Sequence, residues 1–332
     1  MPADEFEIIR DLFAPLAKHR FARGLIDDVA VIESPGPLVI TTDAIVQGVH
    51  FLAADPLDTV AKKALRVNFS DLIAKGAKPV GVTVTLMWPQ ARDASEIAAF
   101  ARGLGEDLKL YDVALLGGDT TSTPGPLAIS VTAFGVPHSA RTPSRADAKV
   151  GEQLWVTGCI GDGLLGLLSL TDLPEIEAAA AGDRVDAHAT AVRAAYRTPS
   201  PPAKLAATIA SYASASMDVS DGLLGDAEKM AAASGVAIRI DAEAVPLSSA
   251  GHAYVAARGM EGLARLLTGG DDYQALFTAP ASARGAIMAA ARAAETNLAL
   301  IGDVSEGAGV RVVTAGGDLP FVTAGHRHRL GK

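Results

Sequence analysis

Aspartates recur in short, almost uncharged boxes along the whole chain: Asp27-Asp28, Thr41-Thr42-Asp43, Asn68-Phe69-Ser70-Asp71, Gly117-Gly118-Asp119-Thr120-Thr121, Asp218-Val219-Ser220-Asp221-Gly222 and Gly269-Gly270-Asp271-Asp272. Short carboxylates beside hydroxyls, with no Cys or His cluster, are hard oxygen donors of the kind that hold Mg²⁺ together with phosphate groups. Each box alone has an ordinary use as a turn, a strand exit or a helix cap. The combination is different, because Asp43, Asp71, Asp119, Asp218 and Asp221 lie beside apolar runs, where an unpaired carboxylate is costly. Several such groups converging repel one another unless cations sit between them. Phosphoryl transfer asks for positioning, metal ions on phosphate oxygens and neutralised charge, so the pattern points to a nucleotide enzyme. The common nucleotide signatures are missing: the sequence has no G-x-x-x-x-G-K-[ST] loop, no kinase H-R-D or D-F-G, and no G-x-G-x-x-G opening a strand-turn-helix unit.

The elements that must position these boxes follow from hydrophobic spacing. Phe6, Ile9, Phe13 and Leu16 predict a helix over 6–20, and 38–42 reads as a buried strand ending at Asp43. Val60, Ala64, Val67 and Leu72 predict a helix over 57–77, on which Asn68 and Asp71, three apart, share a face. Strand-like 81–88, a helix over 94–110, an apolar run 113–116 ending in Gly-Gly-Asp and a strand over 127–136 follow. Residues 137–152, rich in Pro, Ser, Arg, Asp and Gly, form the best boundary between two domains. Beyond it, 154–157 reads as a strand, 201–213 as a helix after Pro201-Pro202, 222–234 as a helix stopped by Gly235, and 236–240 as a strand; Ala-rich 176–182 reads as a helix end or surface connection.

A chain of 332 residues with 49% hydrophobic content is globular and long for one core, which favours two domains. The formal net charge of −9, with no stripe of Lys and Arg, argues against nucleic acid as a partner. Anionic small molecules remain compatible, because metal ions, helix N-termini and a few Arg residues can hold phosphates. No apolar run is long enough to span a membrane, the acidic N-terminus carries no signal peptide, and Cys159 is the single cysteine, so the expected location is cytoplasmic.

In this order and spacing the boxes resemble the thiamine-monophosphate kinase family, of the superfamily that includes aminoimidazole ribonucleotide synthetase. The matching pieces are EFEIIRDLF, IDDVAVI, LVITTDAIVQGVHF, KALRVNFSDLIAKGAKP, LLGGDTT, WVTGCIGDGLLGL, MDVSDGLLGD and TGGDDYQALFT, eight segments in order along the sequence. The resemblance implies an α/β fold of the α+β type, two domains with mixed sheets packed against helices. They would be an ATP- and Mg-binding, dimerising domain over 1–140, a linker over 141–149 and a C-terminal domain over 150–332. It implies a homodimer, ATP bound near the domain junction, and phosphorylation of thiamine monophosphate to thiamine diphosphate. By family role, Asp28, Thr41, Thr42, Asp43, Asp71, Asp119 and Asp218 would hold several Mg²⁺ ions on the nucleotide phosphates, with Asp221 on a further ion. Tyr111, Gly118, Asp119, Arg145 and Ser220 would contact ATP, Arg141 being a near competitor of Arg145, and His50, Asp271 and His326 would face the substrate. No catalytic base is required, because the acceptor phosphate, with a second pKa of about 6, is already largely a dianion at neutral pH.

Four positions depart from the family pattern: Ile26 stands where a Gly usually precedes the acidic pair, Asp271 and Gln274 stand where Glu is usual, and His326 aligns with an aromatic. Two alternatives stay open, another ATP-using enzyme of the same superfamily and a nucleotide-binding protein without catalysis.

Overall fold

Alternating burial along two strands sets the first layer of the computed structural model, which describes residues 5–25, 29–34, 36–171 and 184–319. In β2 (Ala77–Pro89) and β4 (Ala128–Pro137), Val84, Leu86, Ile129, Val131 and Ala133 are buried, while Thr83, Thr85, Ser130 and Thr132 between them are half-exposed. This period of two is that of a strand with one face on a core. With β1 (Val39–Val46) and β3 (Ala114–Thr123) they form a mixed sheet in the order β1-β4-β2-β3, only the β2–β3 pair being parallel.

Helix α1 (Leu57–Ala74), as far as Leu72, and helix α2 (Ile97–Tyr111) complete this first unit, to which residues 1–72 and 77–137 belong. The two helices approach closely at Gly103, where a Cβ would fall 2.1 Å from the Asp58 carbonyl. Arg66 on α1 donates to both carboxylate oxygens of Asp107 on α2, at 2.5 and 2.8 Å, with Asp107 buried. Such a fork is the geometry in which a buried ion pair holds two helices in one register.

The second unit, residues 73–76 and 138–332, is built on a seven-stranded sheet. Its strands are β5 (Gln153–Thr157), β6 (Ser216–Val219), β7 (Ala237–Asp241), β8 (Gln274–Ala279), β9 (Leu298–Ser305), β10 (Gly309–Thr314) and β11 (Gly317–Asp318), in the order β11-β10-β7-β9-β5-β8-β6. Only β7 and β10 pair in parallel. Its helices are α3 (Asp162–Thr171), α4 (Arg184–Arg197), α5 (Ala206–Tyr212), α6 (Leu223–Ser234), α7 (Ser249–Thr268) and α8 (Arg284–Ala293). Met217, Leu223, Leu224, Ala227 and Met230 are buried in one apolar cluster, and Trp155 stacks on Phe277 in another. Both units are therefore α/β with mixed sheets, as the sequence leads one to expect.

Element types read from spacing mostly hold, with corrections, the first being that the strand expected to be buried over 38–42 leaves Ile40 60% exposed. The strand predicted to end at Asp43 runs on to Val46, and the run predicted to end in Gly-Gly-Asp continues to Thr123, so Asp43 and Asp119 both sit within strands. Cross-strand pairing supplies the reason: Asp43 stands opposite Val131 and Asp119 opposite Thr85, which keeps the ladders running past the polar boxes. The predicted helix over 6–20 is a short α turn, Glu5–Ile8, followed by a π turn, Ile9–Phe13. Segment 176–182 lies outside the described residues. No described helix is long and apolar enough to cross a membrane.

Candidate functional site

In the first unit, β1 carries Thr41, Thr42 and Asp43, and the Asn68/Asp71 face of α1 docks against it. Thr41 Oγ1 donates to Asp71 Oδ2 at 2.6 Å, and the Asp43 backbone N–H donates to Asn68 Oδ1 at 2.9 Å. Buried Asn68 is itself fixed through Nδ2, which donates to the Ala64 carbonyl at 2.9 Å. The hydroxyl of Thr41 and the carboxylates of Asp43 and Asp71 are thus brought to one end of the β1–α1 contact. Strand pleating turns Thr42 to the other face, where its hydroxyl donates to Val131 O at 3.1 Å and accepts from Thr132 at 3.2 Å. Thr42's side chain is therefore not part of that group.

Asp119 lies on β3, at the opposite edge of the same sheet from β1. Two intervening strands separate the edges by about 14 Å at ordinary strand spacing. Within this unit the acids make two groups, one on each edge. Gly118 is required by packing, since a Cβ there would fall 1.9 Å from the Val84 carbonyl. Next to it opens an apolar pocket lined by Ile9, Phe13, Val84, Leu86 and Leu116, with Gly118 and Asp119 among its walls. Tyr111, the last residue of α2, packs on Phe69 at 5.0 Å between ring centroids, with the Arg66 guanidinium 5.7 Å from its ring; burial pushes its phenol pKa up.

His50 sits in the turn after β1. Its Nδ1 accepts the Val46 backbone N–H at 3.0 Å, which places the proton of the neutral imidazole on Nε2. Its carbonyl accepts from Lys63 Nζ at 2.9 Å, and Lys63 is only 1% exposed. A buried ammonium beneath a candidate substrate-facing His fixes that turn at a desolvation cost, so the turn's conformation is strongly specified.

In the second unit three glycine-rich turns meet. The turn after β6 holds Ser220, Asp221 and Gly222; the 269–273 loop holds Asp271 and Asp272; the third opens α3 at Gly161-Asp162-Gly163. Gly222 has φ of 105°, and a Cβ would fall 2.5 Å from the Thr268 carbonyl, so both backbone and space exclude a side chain. Asp218 is buried on β6, one strand from β8. Asp226, in the first turn of α6, accepts the backbone N–H groups of Ser220 and Asp221 at 3.0 and 3.1 Å, and Lys229 Nζ reaches Asp221 at 2.5 Å and Asp226 at 2.8 Å.

Asp272 accepts the N–H groups of Gly161 at 2.8 Å and Gly163 at 3.1 Å, at the start of α3. Burial pushes its carboxyl up to about 8, against the pull of those two donors and with the help of neighbouring Asp162 and Asp271. Its neighbours Asp271 (φ 71°) and Tyr273 (φ 52°) occupy the left-handed region. Each costs about 1–2 kcal/mol, a strain that clusters at functional sites. Backbone bonds from Asp271 N to Ser220 O (2.9 Å) and Tyr273 N to Val219 O (2.7 Å) hold them there, and the Tyr273 hydroxyl donates to Asp271 at 3.1 Å. Asp271, Gln274, Cys159, Asp162 and Ser200 line a pocket of acidic character.

Arg141 donates to Asp147 and to the Ser214 carbonyl, both at 2.9 Å; it and Arg145 are both exposed. Asp27, Asp28 and His326 lie outside the described residues. Among the described residues no three His, Cys, Asp or Glu side chains are gathered tightly enough to hold a metal ion by themselves. The Thr41–Asp71–Asp43 donors still fit Mg²⁺, which takes one or two carboxylates and completes its shell with water and substrate phosphates.

Sequence reasoning missed Lys63, Asp226, Lys229 and the part played by Asp272. Asp226 carried a usable signal, an acid in the first helical turn five residues after Asp221. Lys229 carried one too, three residues beyond Asp226 on the same helix, whereas the bond from Lys63 to the His50 carbonyl leaves no mark in the residue pattern.

Residues 26–137 match the N-terminal domain, and residues 149–315 the C-terminal domain, of the family described as AIR synthase related protein. The chain is 42% identical over 332 residues to the thiamine-monophosphate kinase of Caulobacter vibrioides, covering 98% of this chain and 91% of that one. It is similar to the crystal structure of thiamine-monophosphate kinase from Stenotrophomonas maltophilia, with a TM-score of 0.80, 35% identity and 94% and 97% of the two chains covered. A second solved structure, AaThiL complexed with AMPPCP and TMP, matches with a TM-score of 0.72 and 32% identity over 93% of each chain.

Proposed function

The chain belongs to the thiamine-monophosphate kinase family of AIR synthase related proteins, and from that premise we propose that it transfers the γ-phosphoryl group of ATP directly to the phosphate of thiamine monophosphate, giving ADP and thiamine diphosphate. The observation that carries the metal-assisted part is the Thr41–Asp71 bond beside Asp43, hard oxygen donors at a strand that buried Asn68 holds by the Asp43 backbone N–H. The AaThiL complex with AMPPCP and TMP supports the pair of substrates, read as an ATP analogue and thiamine monophosphate.

The acceptor needs no deprotonation, being largely a dianion already. The obstacle is repulsion between two polyanions, and bound Mg²⁺ supplies the charge that offsets it. Asp28, Thr41, Thr42, Asp43, Asp71, Asp119 and Asp218 are the proposed holders of the ions, Thr42 through its backbone since its side chain faces away. Tyr111, Gly118, Asp119, Arg145 and Ser220 are the proposed ATP contacts. His50 offers Nε2–H to the acceptor phosphate. Asp271 faces the acidic pocket, whose charge suits the cationic thiazolium ring of the substrate, and His326 is the proposed stacking partner.

The proposed homodimer forms through the first unit, whose half-exposed sheet face carries Thr42, Thr132 and Ile40, the last 60% exposed. Direct in-line transfer has a stereochemical signature. With ATP made chiral at the γ-phosphorus by oxygen isotopes, the terminal phosphorus of thiamine diphosphate should emerge inverted. Retention would mean two transfers through a phosphorylated enzyme group and would remove the direct mechanism.

A further inference from the structure

Asp221, the acid that the family resemblance places on a further ion, has a geometry that disagrees with a metal ion. Lys229 Nζ lies 2.5 Å from Asp221 Oδ2 and 2.8 Å from Asp226 Oδ1. Asp226 is fully buried, and its other oxygen accepts the Ser220 and Asp221 backbone N–H groups at 3.0 and 3.1 Å. Loop, buried carboxylate and ammonium therefore close a ring, and helical spacing of three residues from Asp226 to Lys229 keeps the ammonium in reach without strain.

We propose that Lys229 is the resident cation of Asp221, so that in this chain Asp221 takes no divalent ion. A metal on the same carboxylate oxygen, at about 2.1 Å, would sit within about 5 Å of the half-exposed ammonium, where like charges repel. Withdrawing Lys229 to admit the ion would strip the buried Asp226 of its cation, which is the more expensive change. The ammonium instead supplies fixed positive charge at the Ser220–Gly222 turn and holds that turn in the shape that buried Asp226 requires. This assignment rests on the reading of the other Asp boxes as Mg²⁺ sites and removes one residue from them.

Counting ions on the full chain tests it without recourse to turnover. Mn²⁺ bound per chain in the presence of AMPPCP, followed by electron paramagnetic resonance titration, should be equal in the wild type and in Asp221→Asn. Lys229→Met should bind one ion more, and the double variant Asp221→Asn/Lys229→Met should lose that extra ion. Lys229→Arg, which keeps the cation, should match the wild type. One ion fewer in Asp221→Asn overturns the assignment, as does no gain in Lys229→Met, and Asp221→Asn gives its answer with the Asp226–Lys229 pair left in place. No Mn²⁺ bound by the wild type would instead overturn the metal reading itself, and this assignment with it.

Discussion

Asp43→Asn and Asp71→Asn each lower kcat/KM for thiamine monophosphate phosphorylation about a thousandfold, equivalent to about 4 kcal/mol at the transition state, with the fold intact. The amide keeps the size of each side chain and, at position 71, an oxygen able to accept the Thr41 hydroxyl, so packing at the β1–α1 contact survives. What disappears is the negative charge that holds a divalent ion on the phosphates. Asp43 is exposed and its backbone N–H, not its carboxylate, makes the bond to Asn68, so its replacement leaves that bond in place. Steady-state kinetics across a Mg²⁺ series, with thermal melting of the same preparations, separates the two effects. Wild-type turnover in both variants removes the metal assignment, and a collapsed melting temperature would make the residues structural.

The largest effect on stability belongs to Asp272. Its folded pKa is raised from 3.8 to about 8, so folding favours the protonated form. The contribution is fully present below the unfolded value and is lost as pH rises through the folded one, between about 4 and 8. A shift of that size is worth on the order of 5 kcal/mol across the whole window. Asp272→Asn is neutral at every pH, and one of its two terminal atoms can no longer accept from Gly161 or Gly163. Urea midpoints measured from pH 5 to pH 9 should therefore decline more steeply in the wild type than in the variant. The variant is less stable at pH 5, and the gap narrows as pH rises. Parallel curves would mean that Asp272 is ionised throughout and that its two backbone donors outweigh burial. Because Asp272 pins the start of α3 to the loop bearing strained Asp271, the same titration reports on the acidic pocket.

Much of this was legible in the residues alone. Helix α1 announces itself through Val60, Ala64, Val67 and Leu72, and the three-residue spacing of Asn68 and Asp71 foretells the face that meets β1. The Gly235 stop of α6 is equally readable, its φ of 67° being what a helix end demands. The ends of β1 and β3 were not legible, because polar residues usually end strands and here cross-strand partners carry the ladder through them. Helix α7 escaped notice because its apolar residues are diluted with Ala and Gly, and Gly259 breaks it internally at φ 62°. In the site, residue types foretold the chemistry, while which acid faces a metal and which faces an ammonium depended on partners remote in sequence or hidden among ordinary surface charges, as with Lys63 and Lys229.

One incubation tests the central claim most directly: the purified 332-residue chain with ATP, Mg²⁺ and thiamine monophosphate, the products separated and identified by mass. Thiamine diphosphate should accumulate in step with ADP, and a chelator in excess of Mg²⁺ should stop it. ADP formed without thiamine diphosphate, or no product above background from folded protein that binds ATP, would contradict the account.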